Sequence, residues 1–175
     1  GDNTYSITIG NSYTVIGSIT PFRGRLELVP SATTDITDNG VSAETFELVT
    51  FNQFVTNPEL YEGELIAIKN VTLIAGTWPT TTSYSYIKIQ DNAGTDTTGI
   101  YINNATSGTE PVGAFDVIGV VRQEDATSPF TAGYFLVPRS SGDFAPANTL
   151  PVELSSFTVS ASGKNALLKW ETTTE

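Results

Sequence analysis

An internal repeat constrains the fold of this chain more than any other feature of its sequence. Three motifs occur twice in the same order: Val15-Ile16-Gly17 and Val117-Ile118-Gly119, Leu28-Val29-Pro30 and Leu136-Val137-Pro138, and Asp35 and Asp143. Such a repeat indicates two copies of one module. Many strand-like segments precede the second copy, whereas the first begins almost at its motif. We therefore expect a complete module at 43–145, only the last strands of another at 1–42, and a linker with further strands at 146–175.

The residue types that are missing narrow the possible chemistry. The 175 residues include no His, Cys or Met, which excludes the usual zinc and copper sites, thiol nucleophiles and Ser-His-Asp triads. The net charge of −11, from 8 basic and 19 acidic residues, opposes binding to a phosphate backbone. No apolar run is long enough to cross a bilayer. We expect no catalytic residues, no nucleic-acid partner, no membrane insertion and no cofactor other than a possible calcium ion.

Alternation of polar and apolar residues predicts an all-β chain. Before the complete module we expect a linker at 31–42 and strands at 4–9, 12–20 and 25–29. Within it we expect a short helical turn after Pro58 and strands at 45–48, 64–74, 83–90, 99–103, 114–123 and 133–138. Two more strands are expected at 150–160 and 165–172. No segment shows a 3.6-residue period, so the sequence predicts no long helix.

The complete module resembles a known group of β-barrels. Its corner motifs are Gly63-Glu64-Leu65, Ile89-Gln90-Asp91, Gly113-Ala114-Phe115-Asp116-Val117-Ile118-Gly119 and Leu136-Val137-Pro138-Arg139. Across residues 45–144 this pattern resembles the OB-fold-like modules in large secreted proteins of Bacteroidetes and their relatives, including modules next to extracellular nuclease and lamin-tail domains. The resemblance implies OB-fold-like barrel or sandwich modules, one complete and one partial, plus a C-terminal strand pair. The motifs say nothing about an active site.

The last 26 residues resemble a second family. Leu150-Pro151-Val152-Glu153-Leu154 and Leu167-Leu168-Lys169-Trp170-Glu171 are similar to the start of the fibronectin-type-III-like segment that precedes the C-terminal sorting domain in cargo of type IX secretion. The match stops where the family continues into its third strand. The resemblance implies an extracellular or cell-surface location.

A partial module and a strand pair together suggest assembly between chains. Unpaired strand edges expose backbone N–H and C=O groups that invite pairing with another chain. We hypothesise that the C-terminal strands complete the N-terminal module of a neighbouring copy, and that such a head-to-tail contact produces a filament. The interface residues would be Leu154, Phe157, Val159, Leu167, Leu168 and Trp170 on the donor, and Tyr5, Ile7 and Ile9 on the acceptor. The alternative is an ordered fragment of a longer multidomain protein.

Aromatic residues of the complete module suggest a different function. Trp78, Tyr84, Tyr86 and Tyr101 are candidates for the ligand platform that OB folds use for bases or sugars. The acidic charge favours glycans, and so a carbohydrate-binding or adhesive accessory module of a larger surface protein. A nucleic-acid-binding module attached to an extracellular nuclease is a third reading, which the charge opposes. The structural alternative is that Tyr84 and Tyr86 simply point outward from a strand while Trp78 caps the barrel.

Short polar motifs supply further candidates. Asp91, Asn92 and Asp96 provide oxygen ligands at intervals that loosely resemble those of a calcium loop. The run lacks the final bidentate Glu, and it also fits an ordinary turn. Asn70 and Asn104 fit the N-glycosylation pattern, and Thr97 lies in an Asp-Thr-Thr motif resembling the O-glycosylation signal of Bacteroidetes.

Charged residues near the module's turns have structural explanations. Glu59, Glu62 and Glu64 are spaced closely enough for acid and base roles, but clustered carboxylates on a loop are more often simply solvated. Arg139 is expected to pack or pair near Asp143 or Glu153.

Overall fold

The computed structural model describes residues 5–43, 45–91, 93–94, 96–149, 154–162 and 165–172. Its strands are β1 (Asn11–Val15), β2 (Ser18–Phe22), β3 (Arg25–Val29), β4 (Ile36–Val41), β5 (Glu47–Leu48), β6 (Leu65–Ala75), β7 (Ser85–Asp91), β8 (Thr98–Ile102), β9 (Phe115–Gln123), β10 (Tyr134–Val137), β11 (Phe144–Pro146), β12 (Leu154–Ser162) and β13 (Asn165–Thr172). Two short helices are α1 (Phe51–Thr56) and α2 (Asn104–Ser107). The all-β prediction is confirmed.

Five strands close into a barrel in the order β6-β7-β8-β10-β9, with β9 pairing back onto β6. Neighbouring strands are antiparallel except for β8 and β10, which run parallel, with Phe135 beside Gly99 and Leu136 beside Ile100. A small five-stranded barrel of this kind has the OB-fold architecture. The OB-fold-like prediction for this module is therefore confirmed.

A bend in β6 lets one strand serve two sides of the barrel. Its first half pairs with β9 and its second half with β7. At Asn70 the backbone takes a positive φ of 57°, and the buried carboxylate of Asp116 accepts the Asn70 N–H at 2.8 Å. The side chains of Ile66 and Ile68 are buried before the bend and that of Val71 after it. The in-and-out alternation of the strand therefore shifts by one residue here, as it does at a β-bulge. The bend keeps both halves of the strand facing one core.

The first module repeats the end of the barrel residue for residue. Val15 pairs with Ile36 and Ile19 with Leu28. The equivalent pairs in the barrel are Val117 with Phe144 and Val121 with Leu136. Asp35 accepts backbone N–H bonds from residues 31 and 32, as Asp143 does from residues 139 and 140. Strands β1 and β2 together therefore correspond to β9, β3 to β10, and β4 to β11.

Three local predictions differ from the structure in the first module. Residues 31–42 are not a linker, because they contain a 3₁₀ turn and β4. Residues 12–20 do not form one strand, because the chain separates at Gly17, whose ideal Cβ would lie 2.5 Å from the carbonyl oxygen of Val29. Residues 5–8 are not in a strand, and the Thr8 N–H instead donates to the Tyr13 hydroxyl at 2.7 Å.

Helix α1 was not predicted from the sequence. A capping box begins this helix, since the Thr50 side chain accepts the Gln53 N–H while the Gln53 side chain accepts the Thr50 N–H. Phe51 and Phe54 face the core. Six residues are too few to reveal a helical period, which explains the omission.

The C-terminal strand pair is an antiparallel hairpin. Phe157 lies opposite Trp170, and Val159 lies opposite Leu168. Because facing residues of an antiparallel pair share one side, these four side chains form one apolar face. No helix within the described residues is long and apolar enough to cross a membrane.

Candidate functional site

An aromatic face covers the outer side of β7, β8 and β10, and we define it as Tyr84, Tyr86, Tyr101 and Phe135. Ile87 and Ile89 point into the core, so the period of two turns Tyr86 outward. Tyr84 and Tyr101 stack with ring centroids 4.7 Å apart and an interplanar angle of 11°. The Phe135 ring forms T-shaped contacts with Tyr86 and Tyr101, with ring centroids 6.0 and 5.8 Å apart. The predicted tyrosines therefore do form a cluster.

Gly99 makes room for the Tyr86 ring. An ideal Cβ on Gly99 would lie 2.0 Å from Cζ of Tyr86. The ring therefore lies over the neighbouring strand β8 at a position without a side chain. Burial raises the pKa of the Tyr86 hydroxyl. This hydroxyl remains protonated at neutral pH, and it can donate as well as accept a hydrogen bond.

The β2–β3 turn of the first module packs against the barrel beside this face. Gly24 lies over Gln123, and the Arg23 carbonyl accepts the Asp125 N–H at 2.8 Å. The Arg23 guanidinium forms an ion pair with Glu124. Hydrogen bonding to Arg23 is the main reason that the pKa of Glu124 lies below its ordinary value. Residues about one hundred positions apart in the chain are thus brought together.

Arg25 is held on the same side of the turn. Its guanidinium bonds Glu27 at 2.9 Å and Glu124 at 3.1 Å. The carbon Cζ lies 4.9 Å from the centroid of the Phe22 ring, within the range of a cation–π contact. With its side chain only 18% exposed, Arg25 is fixed by these contacts.

The turn and the aromatic face enclose a cleft of about 610 Å³. Its lining residues are Phe22, Arg23, Arg25, Tyr86, Tyr101, Arg122, Glu124, Gly133 and Phe135. Three of the four arginines of this acidic chain therefore meet at one place. Arg122 forms no ion pair with any residue that the structure describes.

Of the nine residues that line the cleft, the sequence predicted only Tyr86 and Tyr101 as ligand-binding residues. Val121 and Leu136 point into the core, so side-chain alternation could have placed their chain neighbours Arg122 and Phe135 on the outer face. No sequence signal places Arg23 or Arg25 there, since their position depends on how the two modules pack.

Trp78 does not belong to the aromatic face. It is buried, its indole N–H donates to the Gly108 carbonyl at 3.1 Å, and its ring meets Phe144 edge-on at 5.2 Å. Trp78 therefore has a structural role, as in the alternative reading in which it caps the barrel. We remove it from the candidate ligand site.

The predicted calcium run contains a turn. Oδ1 of Asp91 accepts the N–H groups of Ala93 and Gly94, each at 3.1 Å, and Asp96 is exposed. Asn92 lies outside the described residues. Within the part of the chain that is described, no three acidic side chains cluster as a metal site would need.

The candidate glycosylation residues lie in different environments. Asn70 is half-buried at the β6 bend, whereas Thr97 is exposed. Asn104 is exposed at the start of α2, and its side-chain amide donates to the Thr80 carbonyl at 3.3 Å.

The charged residues near the turns have structural partners. Arg139 pairs with Asp143 through Nη2–Oδ1 at 2.6 Å and Nε–Oδ2 at 3.0 Å, as expected. Glu59 accepts a hydrogen bond from the Tyr134 hydroxyl. Burial, with the nearby Glu59 charge, raises the pKa of Glu62, and Glu64 is exposed.

A second candidate surface is the open face of the first module, which we define as Ile19, Leu26 and Leu28. Leu28 is 45% exposed, whereas its equivalent in the barrel, Leu136, is 0% exposed. Ile19 is 61% exposed, and its equivalent Val121 is 0% exposed. Among residues 5–43, no strand takes the position that β6, β7 or β8 takes in the barrel.

The residues proposed for an interface are mostly exposed. Phe157, Val159, Leu168 and Trp170 form the apolar face of the β12–β13 hairpin, and Leu167 is exposed on its other side. Leu154 begins β12. On the proposed acceptor side, Ile7 and Ile9 are exposed, whereas Tyr5 is half-buried against Tyr13 with ring centroids 6.0 Å apart.

Comparison with known proteins gives no family assignment. No protein-family model matches the chain, and a search of curated proteins finds no similar sequence. Geometry and chemistry are therefore the basis for any statement about function.

Proposed function

We propose that this chain is a secreted, non-enzymatic structural protein of the cell surface that assembles head to tail through strand addition. The β12–β13 hairpin of one copy covers the open face of the first module in the next copy. The contact joins two different surfaces, so it repeats without closing and produces a filament. The observation that carries the proposal is the contrast between exposed Leu28 and buried Leu136 at equivalent positions.

The barrel indicates how the hairpin would bind. In the barrel, β6 runs antiparallel along β9, so a donated strand would run antiparallel along β1 and β2. The other hairpin strand would take the place of β7. In the barrel β10 pairs with β8, so the corresponding edge of β3 would stay unpaired. Burying one Leu or Ile side chain contributes about 1.5–3 kcal/mol, whereas association costs roughly 4–15 kcal/mol. Assembly should therefore depend strongly on concentration.

Sedimentation velocity and electron microscopy over a concentration series test this proposal. We expect filaments from the full chain and none from a chain truncated after Thr149. Leu28→Asp on the open face and Trp170→Asp on the hairpin should each abolish assembly. Val112→Asp is the matched control, because Val112 is 99% exposed in a loop and belongs to neither surface. Monomers of the full chain at every concentration would refute the proposal.

A second candidate function is carbohydrate binding by the cleft, as in an accessory module of a larger surface protein. The observation that favours it is the grouping of Tyr86, Tyr101 and Phe135 with arginines in one opening. Aromatic rings offer flat apolar surfaces, while tyrosine hydroxyls supply hydrogen bonds. A glycan array tests this function, with Tyr101→Ala expected to lose binding and Tyr5→Ala, outside the cleft, expected to retain it. An array without any bound glycan would exclude it.

A further inference from the structure

Three of the four arginines of this acidic protein line one cleft. Arg23, Arg25 and Arg122 line it, and two carboxylates, Glu124 and Glu27, pair with Arg23 and Arg25. The chain as a whole has a net charge of −11. A local excess of positive charge in such a chain is the electrostatic complement of a small anion.

The arginines of the cleft differ in how fully they are paired. Glu124 holds both Arg23 and Arg25, and Glu27 binds Arg25 as well. Half-buried Arg122 has no ion-pair partner among the described residues. A guanidinium binds a carboxylate through two parallel hydrogen bonds, so Arg122 is the group best suited to an incoming carboxylate.

The remaining walls of the cleft suit a small cyclic ligand that has both an apolar face and polar groups. Tyr86 and Phe135 supply aromatic surface, and the protonated hydroxyl of Tyr86 can donate or accept. The volume of about 610 Å³ falls within the range of small-ligand pockets. Such a cleft suits one or a few rings rather than a long polymer.

The same walls fit a nucleic acid less well. Nucleic acids carry a phosphate on every residue, and their affinity comes largely from neutralising several phosphates. The overall charge of −11 repels such a polyanion beyond the cleft. A short sugar chain with one carboxylate at the bound ring avoids most of that repulsion.

We propose that the cleft binds the uronic-acid residue of an acidic oligosaccharide. The sugar ring lies against Tyr86 and Phe135, and its carboxylate binds Arg122. Arg25, positioned by Glu124, also lines the cleft. This inference rests on the second proposed function and names its ligand class.

Titration calorimetry with two disaccharides tests this inference, using digalacturonate and the corresponding neutral disaccharide of galactose. We expect digalacturonate to bind at least tenfold more tightly, and its affinity to fall as salt rises. Arg122→Gln should remove that preference. Lys69→Gln is the matched control, since it removes the same charge from β6 outside the cleft. Circular dichroism of each variant verifies folding.

The possible results separate this inference from the function beneath it. Equal affinity for both disaccharides would overturn the acidic-sugar inference and leave carbohydrate binding intact. An unchanged preference in Arg122→Gln would also overturn it. Binding of neither disaccharide would overturn the acidic-sugar inference, and the glycan array then decides the function beneath it. Binding of an oligothymidylate instead, with a steep salt dependence, would overturn both.

Discussion

Gly24 and Gln123 meet where the first module joins the barrel. An ideal Cβ on Gly24 would lie 2.2 Å from Oε1 of Gln123. The Gln123 side chain cannot simply move away, because it is buried and its amide donates to the carbonyls of Phe130 and Ala132 at 2.7 and 3.0 Å. The backbone of Gly24 also has a positive φ of 91°. Only glycine fits this junction, which places Arg23 and Arg25 at the cleft.

Gly24→Ala should therefore loosen the junction. We expect a loss of about 2–3 kcal/mol in the free energy of unfolding, from backbone strain together with overpacking. Gly40→Ala is the control, because Gly40 has a similar φ of 83° but no atom within 4 Å of its ideal Cβ. Thermal denaturation of both variants measures the difference. Equal losses would mean that contact with Gln123 contributes nothing.

Gly99→Ala should displace Tyr86 from the aromatic face. The added methyl group would overlap the Tyr86 ring, so we expect a loss of about 1–3 kcal/mol. The loss should be much smaller in a Tyr86→Ala background, because the overlapping ring is then absent. A double-mutant cycle by chemical denaturation measures this coupling. Additive losses would contradict the packing of Tyr86 over Gly99.

Asp143→Ala should destabilise the barrel by about 2–4 kcal/mol, because it removes a buried carboxylate that pairs with Arg139 and accepts backbone N–H bonds. Asp143 is 4% exposed. The matched variant is Asp35→Ala, at the equivalent half-buried position of the first module, where Ser31 replaces the arginine. We expect a smaller loss there. Urea denaturation compares the two, and equal losses would show that the ion pair adds no stability.

Tyr134 should make the protein sensitive to alkali. Burial and the hydrogen bond to Glu59 raise the pKa of its hydroxyl above the ordinary value. The unfolded chain loses this proton near pH 10, while the folded protein retains it. The free energy of unfolding should therefore fall as pH rises above about 10. Tyr134→Phe should make that fall shallower in urea denaturation at pH 9 to 11, and an unchanged slope would refute the assignment.

Local chemistry made much of the barrel predictable. The period of two predicted the strand at 83–90, and the repeat of Val15-Ile16-Gly17 identified two related modules. The prediction of a linker at 31–42 was wrong because Thr, Asp and Gly dominate that stretch, while its strand forms by pairing with β1. Helix α1 was missed because its capping box operates over very few residues.

The sequence by itself determined the all-β class, the two related modules and the outward position of Tyr84 and Tyr86. These properties follow from side-chain alternation and local turn preferences, which act between neighbours in the chain. Only the tertiary structure decided that Trp78 is a core residue and that Arg23, 101 positions from Glu124, lines the same cleft. Such contacts depend on how whole strands and modules pack, because no local pattern specifies which distant surfaces meet.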